Sequence, residues 1–146
     1  LRTDPSSKSD SDKYVEIEKS WEIIFQNILS FQKKNNLKHP VLFTELGYIP
    51  KESCTVMPWK GFGFSIAHTL TKKHLIIWKE QPDNPIERAL AIKALRQVNN
   101  RHHLLQGILY WKLTSFQHHL DAEPFAMHIN AKVPDPMWLE MVGFLP

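Results

Sequence analysis

The stretch HPVLFTELGYIP, residues 39–50, decides the fold that the sequence predicts. Residues 41–44, VLFT, are apolar on both faces of an extended chain, which is typical of a parallel strand covered by helices. Glu45 follows directly, and Gly47 then permits a turn away from it. A carboxylate has no use in a sheet core, whereas a strand that ends at a pocket can present one. The stretch therefore predicts a strand with a functional carboxylate at its end.

Amphipathic helices are predicted on either side of this strand. Apolar residues recur at three- and four-residue steps from Tyr14 to Phe31, which indicates a helix over residues 14–35. The polar, serine-rich residues 1–13 before it are expected to form a loop or linker. A second helix is predicted to begin at Pro85, which favours the first helical position.

A second apolar strand follows the second helix. It is predicted at GILYWKL, residues 107–113, and a short strand at residues 74–78. A further short helix is expected over residues 134–145. Strands that alternate with helices indicate an α/β chain with a parallel sheet. In an α/β barrel the working loops lie at the carboxyl ends of the strands, and Glu45 and Trp111 both lie at such ends.

Composition restricts the functions that the chain can have. The 146 residues are 42% hydrophobic and 23% charged, as in a globular domain. The net charge of +3 is scattered along the chain, so no nucleic-acid partner is expected. No apolar run approaches the roughly 20 residues that span a bilayer, so no membrane span is predicted. The single cysteine, Cys54, excludes an internal disulfide, and we expect an inert thiol there.

The motifs VLFTELGY, the PW at residues 58–59 and GILYWKL resemble the end of the barrel in clan A glycoside hydrolases. The closest resemblance is to glycoside hydrolase family 113, the β-mannanase-like retaining enzymes, over residues 15 to about 125. It implies an α/β fold that forms the C-terminal portion, about strands 7 and 8 with flanking helices, of a TIM (β/α)8 barrel. Residues 1–146 would then be the C-terminal part of a single barrel domain.

The resemblance also implies roles for individual residues. The glutamate that ends the seventh strand in that family is the catalytic nucleophile, which corresponds to Glu45 here. Trp111 corresponds to a tryptophan of the sugar-binding floor, and Trp59 and Tyr48 are expected to contact the substrate. The implied substrate is a β-linked, mannan-like glycan, without a metal or other cofactor. Secretion or a cell-surface location is weakly favoured on the same basis.

The sequence departs from the family in two respects. A complete barrel needs about 250 residues, and the acid/base glutamate, usually preceded by asparagine, has no equivalent because no Asn-Glu dipeptide occurs. A retaining glycosidase needs two carboxyl groups about 5 to 5.5 Å apart. We therefore expect the remainder of the barrel to come from a missing segment or another chain, and this segment to be inactive alone.

Several alternatives remain open at the level of sequence. Glu45 is alternatively a structural carboxylate bonded to loop amides, and Trp111 a core residue. The chain as a whole is alternatively a non-catalytic carbohydrate-binding or scaffold protein, or a half-barrel that completes itself with another chain. A metal site among the acidic and histidine residues of QHHLDAE, residues 117–123, is disfavoured by their spacing. His68 and His74 are further candidates for contact with substrate.

Overall fold

The first helix, α1, begins earlier than the sequence predicts. The computed structural model describes residues 9–56, 82–116, 125–129 and 132–143, together with the backbone of residues 64–68 and 74–78. In it α1 spans Asp10–Lys34. Ser9 caps the helix because its side-chain oxygen accepts a hydrogen bond from the Asp12 amide at 3.2 Å. The predicted loop is therefore wrong for residues 10–13, where two aspartates in the first turn favour the helix start.

The remaining elements follow in chain order. The other two helices are α2, Pro85–His102, and α3, Pro136–Val142. The strands are β1 Val41–Leu46, β2 Phe64–His68, β3 His74–Trp78, β4 Leu105–Tyr110, β5 Leu113–Thr114 and β6 Met127–His128. The predicted strand at residues 74–78 is confirmed as β3, which pairs antiparallel with β2.

The central sheet of the described residues consists of β1 and β4. They pair in parallel, with Val41 opposite Leu105 and Phe43 opposite Ile108. Since α2 connects them, the predicted pairing of two adjacent parallel strands through a helix is confirmed. The predicted strand over residues 107–113 is too long, because β4 ends at Tyr110 and β5 is a separate strand that pairs with β6.

The core lies between the helices and one face of this sheet. Ile17, Trp21 and Phe25 of α1 pack in it with Ile92 and the other apolar residues of α2. Trp21, which belongs to the apolar stripe predicted for this helix, is 5% exposed and lies in the core. Its indole nitrogen donates a hydrogen bond to the Ala91 carbonyl at 3.2 Å, which links α1 to α2. The buried indole N–H is therefore satisfied. Trp138 of α3 is partly buried against the same core.

The other face of the β1–β4 sheet is not covered by the described residues. Leu42 of β1 is 51% exposed and Leu109 of β4 is 56% exposed, although both are apolar strand residues. The sequence predicts a strand covered on both faces, and helices cover only one face in the described part of the chain. No helix within the described ranges combines the length and the apolar character that crossing a bilayer requires.

A buried carboxylate fixes the segment that follows β1. Glu87 of α2 is 1% exposed and accepts hydrogen bonds from the Thr55 amide at 3.1 Å, the Thr55 hydroxyl at 2.8 Å and the Ser53 amide at 3.1 Å. The Lys13 ammonium of α1 lies 3.3 Å from the same carboxylate. This arrangement joins α1, α2 and residues 53–55. Cys54 is enclosed within it, fully buried, and burial raises the pKa of its thiol.

Candidate functional site

Glu45 and Trp111 lie at the carboxyl end of the β1–β4 sheet. Glu45 is the last residue but one of β1, and Trp111 follows the last residue of β4. The Trp111 amide donates a hydrogen bond to the Leu46 carbonyl at 2.8 Å, so the two strand ends are joined beside both residues. Glu45 is exposed and Trp111 is 50% exposed. The parallel pairing thus brings an accessible carboxylate and an accessible aromatic ring to one edge of the sheet.

Gly47 is required by close packing rather than by an unusual backbone angle. None of the glycines that the structure describes has a positive φ. A Cβ atom at Gly47 would instead lie 2.6 Å from the Trp111 carbonyl oxygen and 3.2 Å from the Phe125 ring. The expectation that Gly47 serves a free turn is therefore corrected, since the residue lets β1 approach the Trp111 backbone closely.

The Glu45 side chain is exposed and takes no part in the hydrogen-bond networks of the described residues. Among the described residues none hydrogen-bonds to it or forms an ion pair with it. The alternative in which Glu45 accepts bonds from loop amides thus gains no support from the described residues.

The indole of Trp111 is accessible on part of its surface. With half of its area exposed, the ring is not one of the core residues. The Lys112 ammonium lies 5.8 Å from the ring centroid, a cation–π distance. The peptide bond between these two residues is cis. The part of the indole that the protein leaves open is an apolar, flat surface of the kind on which a sugar ring packs.

Tyr48 has a different place from the one expected. Its side chain is 5% exposed and belongs to the core, so it offers almost no surface to a ligand. Burial raises the pKa of its hydroxyl. Its backbone carbonyl accepts a hydrogen bond from the Tyr110 hydroxyl at 3.0 Å and lies 3.5 Å from a guanidinium nitrogen of Arg88. Tyr48 therefore contributes to the site through its buried ring and its carbonyl, which hold the turn after Glu45 in place.

Tyr110 and Arg88 are the residues that sequence reasoning missed. The Tyr110 hydroxyl lies 3.0 Å from the Tyr48 carbonyl and 3.2 Å from the Phe125 carbonyl, and its single proton can serve one of them at a time. Burial raises the pKa of Tyr110 to about 12, so the hydroxyl remains a donor at working pH. Arg88, 3% exposed, pairs with Asp135 at the start of α3. Strand alternation from Trp111 was the one signal that marked Tyr110 as inward-facing.

Other predicted residues lie outside the part of the chain that the structure describes. They are Trp59 and the histidine and acidic residues of the 117–123 segment, while His68 and His74 are described only in their backbone. No group of three histidine, cysteine or acidic side chains within the described residues has the geometry of a metal site.

Comparisons of the chain with protein-family models, with curated proteins and with solved structures found no match.

Proposed function

We propose that this chain is the C-terminal portion of a (β/α)8-barrel retaining glycoside hydrolase that acts on β-linked, mannan-like poly- or oligosaccharides. The observation that supports this most is the parallel pairing of β1 with β4 through α2, which leaves Glu45 and Trp111 exposed at one edge. In barrels of this class the carboxyl ends of the strands form the catalytic face. An acid beside an open aromatic surface suits a sugar, because the ring packs on the indole while the carboxylate faces the anomeric carbon.

Glu45 has the role of nucleophile in this proposal. Its carboxylate oxygen forms a bond to the anomeric carbon while the glycosidic carbon–oxygen bond breaks, and the departing oxygen takes a proton from a second carboxylic acid. Water, deprotonated by that second group, then releases the sugar with retained configuration. No Asn-Glu dipeptide occurs in the 146 residues, so this proposal takes the proton donor from the rest of the complete protein.

The partner that this proposal requires is the remainder of the barrel. Leu42 and Leu109 expose about half of their area on the sheet face opposite the helices. Covering apolar side chains stabilises by about 25 cal/mol per Å² removed from water, so such a face favours association with further strands. Those strands belong either to a longer polypeptide or to another chain.

The substrate contacts assigned to this chain are Trp111 and, outside the described residues, Trp59. Trp111 provides the packing surface, and Lys112 beside it limits which part of the indole a sugar reaches. Tyr48 takes part indirectly, because its buried ring and its carbonyl bond to Tyr110 hold the turn that follows Glu45.

Covalent labelling of the complete protein tests the nucleophile. A 2-fluoro glycoside is expected to label Glu45, and Glu45→Gln is expected to lower kcat by several orders of magnitude with affinity kept within about tenfold. Glu52→Gln is the matched control, since Glu52 is an exposed glutamate of the same segment. Hydrolysis by the Glu45→Gln variant at the wild-type rate would show that Glu45 is not the nucleophile.

A non-catalytic carbohydrate-binding or scaffold protein is the second candidate. No described residue forms a hydrogen bond or ion pair with the Glu45 carboxylate, as would be expected if this group had no catalytic role. Sugar binding on the half-exposed Trp111 ring needs no acid. The two candidates differ in one experiment. If the wild-type complete protein binds β-linked oligosaccharides and shows neither hydrolysis nor labelling, the binding protein is the better description.

A further inference from the structure

A cavity of about 300 Å³ lies at the amino ends of β1 and β4, the opposite end of the sheet from Glu45. It is bordered by the carboxyl-terminal parts of α1 and α2 and by the residues that lead into the two strands. The polar side chains that line it are Gln32, Lys38, His39, His102, His103 and Gln106. None of the described residues that line the cavity has a carboxylate, and their four ionisable side chains are all basic.

Acidic groups near the cavity are already engaged by other partners. Glu22 of α1 lies 2.6 Å from the His102 ring and 3.1 Å from the Arg101 guanidinium, which also pairs with Glu18 at 2.6 Å. The Nε2 atom of His102 is therefore already paired with the Glu22 carboxylate. Lys38, His39 and His103 form no ion pair with a described residue. The cavity therefore has more positive than negative charge once its histidines are protonated.

The helix ends do not account for this excess of basic groups. Both α1 and α2 direct the partial negative charge of their carboxyl termini toward this end of the fold. Lys33 and Lys34 in the last turn of α1, and Arg101 in the last turn of α2, already offset that charge. The basic side chains beyond the helix ends remain available to a ligand.

His103 has a backbone conformation that usually selects glycine. It follows the last residue of α2 with φ of 50°, in the left-handed region. Glycine is the common residue at this position of a helix end, because a Cβ atom is disfavoured there. Asn36 has a similar φ of 52° after α1, but asparagine tolerates this region. Histidine, like asparagine, is more common in this region than most residues with a Cβ atom, so the backbone at His103 is compatible with a side chain that lines the cavity.

We propose that this cavity binds the phosphoryl group of a small phosphate monoester, through Lys38, His39 and His103. A phosphate presents several acceptor oxygens, which suits an ammonium group, imidazolium rings and the amide donors of Gln32 and Gln106. The Gln32 amide donates to the His39 carbonyl at 2.7 Å, which holds that residue at the rim. The volume is about ten times the share of one water molecule in the liquid, so it admits an organic group with the phosphoryl group.

Titrations of the complete protein test this site. Inorganic phosphate, glycerol 3-phosphate and inorganic sulfate are added at pH 5.5 and pH 8, and histidine ring signals are followed by NMR. Because an imidazolium ring attracts an anion more strongly than a neutral imidazole does, roughly tenfold tighter binding is expected at pH 5.5 than at pH 8. Sulfate stays a dianion throughout and separates protonation of the protein from that of phosphate. Glycerol 3-phosphate is expected to bind more tightly than inorganic phosphate. Equal affinities for the two would overturn the proposal that the ligand is a phosphate monoester.

Two glycine variants give the decisive comparison. His103→Gly is expected to leave Tm unchanged or raised and to weaken phosphate binding at least fivefold, whereas Asn36→Gly relieves a similar backbone strain and leaves binding unchanged. His103→Asn keeps the backbone preference and removes the charge, so it replaces the glycine variant if that variant does not fold. Lys38→Gln is expected to weaken binding at both pH values. No saturable shift, or equal binding by all variants, overturns the proposal.

Discussion

Gly47 and the carbonyl oxygen of Trp111 approach so closely that a Cβ atom at Gly47 would lie 2.6 Å from that oxygen. The contact joins the turn after Glu45 to the first residue after β4. Because the obstacle is backbone and not the end of a flexible side chain, the neighbour cannot move aside cheaply. The positions of the proposed nucleophile and the proposed sugar platform are thus coupled through one glycine.

Gly47→Ala is expected to destabilise the protein by about 1 to 3 kcal/mol, the usual cost of inserting a group into a packed site. Urea unfolding measures it. Gly107→Ala is the matched control, because a Cβ there would lie 3.2 Å from the Leu42 Cδ1 atom, which belongs to a half-exposed side chain that can rotate. Equal losses in both variants would contradict the specific contact with Trp111.

Glu87→Gln is expected to be among the most destabilising single changes in the described residues. It leaves the Lys13 ammonium, itself 11% exposed, without its carboxylate, and breaking a buried pair costs about 3 to 5 kcal/mol. Equilibrium unfolding gives this value directly. Glu52→Gln removes an exposed carboxylate and is expected to change stability by less than about 0.5 kcal/mol. A loss at Glu87 as small as that of the control would mean that the network is not formed.

Acid is expected to remove part of the contact between α1 and α2. Hydrogen bonds from Gln26, Arg101 and His102 lower the pKa of Glu22 from 4.5 to about 2. A carboxylate whose pKa is lower in the folded protein stabilises it above pH 4.5, and that contribution is lost as the pH falls through about 2. Unfolding free energies across this range measure the slope. Glu22→Gln should flatten it, and an unchanged slope would assign the dependence to other groups.

Trp111→Ala tests the sugar platform. In the complete protein, affinity for β-linked oligosaccharide is expected to fall by about 1 to 3 kcal/mol, and ligand should no longer perturb the fluorescence of this residue. Isothermal titration calorimetry measures the affinity. Trp138→Phe is the control, because Trp138 packs against the core through α3. Unchanged affinity in Trp111→Ala would show that the indole has no role in binding.

Cys54 is expected to resist thiol reagents in the folded protein. The side chain is fully buried, and burial raises its pKa, so little thiolate is present and little of it is reachable. A disulfide reagent at pH 8 should modify Cys54 only at the rate of unfolding, with rapid reaction in denaturant. Fast modification under native conditions would mean that residues 53–55 open readily.

The local pattern of the sequence determined much of the secondary structure. The apolar spacing of α1, Pro85 at the start of α2 and the parallel pairing of β1 with β4 all followed from periodicity and chain order, because these signals depend on neighbours in sequence. The start of α1 was misplaced, since Ser9 as a cap outweighs the polar composition around it. The end of β4 was misplaced because the change of direction at Trp111 has no signature in hydrophobicity.

Tertiary structure alone decided how the candidate site is supported. Tyr48 was expected to contact the substrate, but the fold buries its side chain, and its carbonyl accepts a hydrogen bond from Tyr110. Glu87 lies in the first turn of α2, and only the return of residues 53–55 onto α2 gives it buried donors. The sequence determines which side chains share a face of one helix or strand. Burial and close approach arise when distant elements meet, and no local pattern records them.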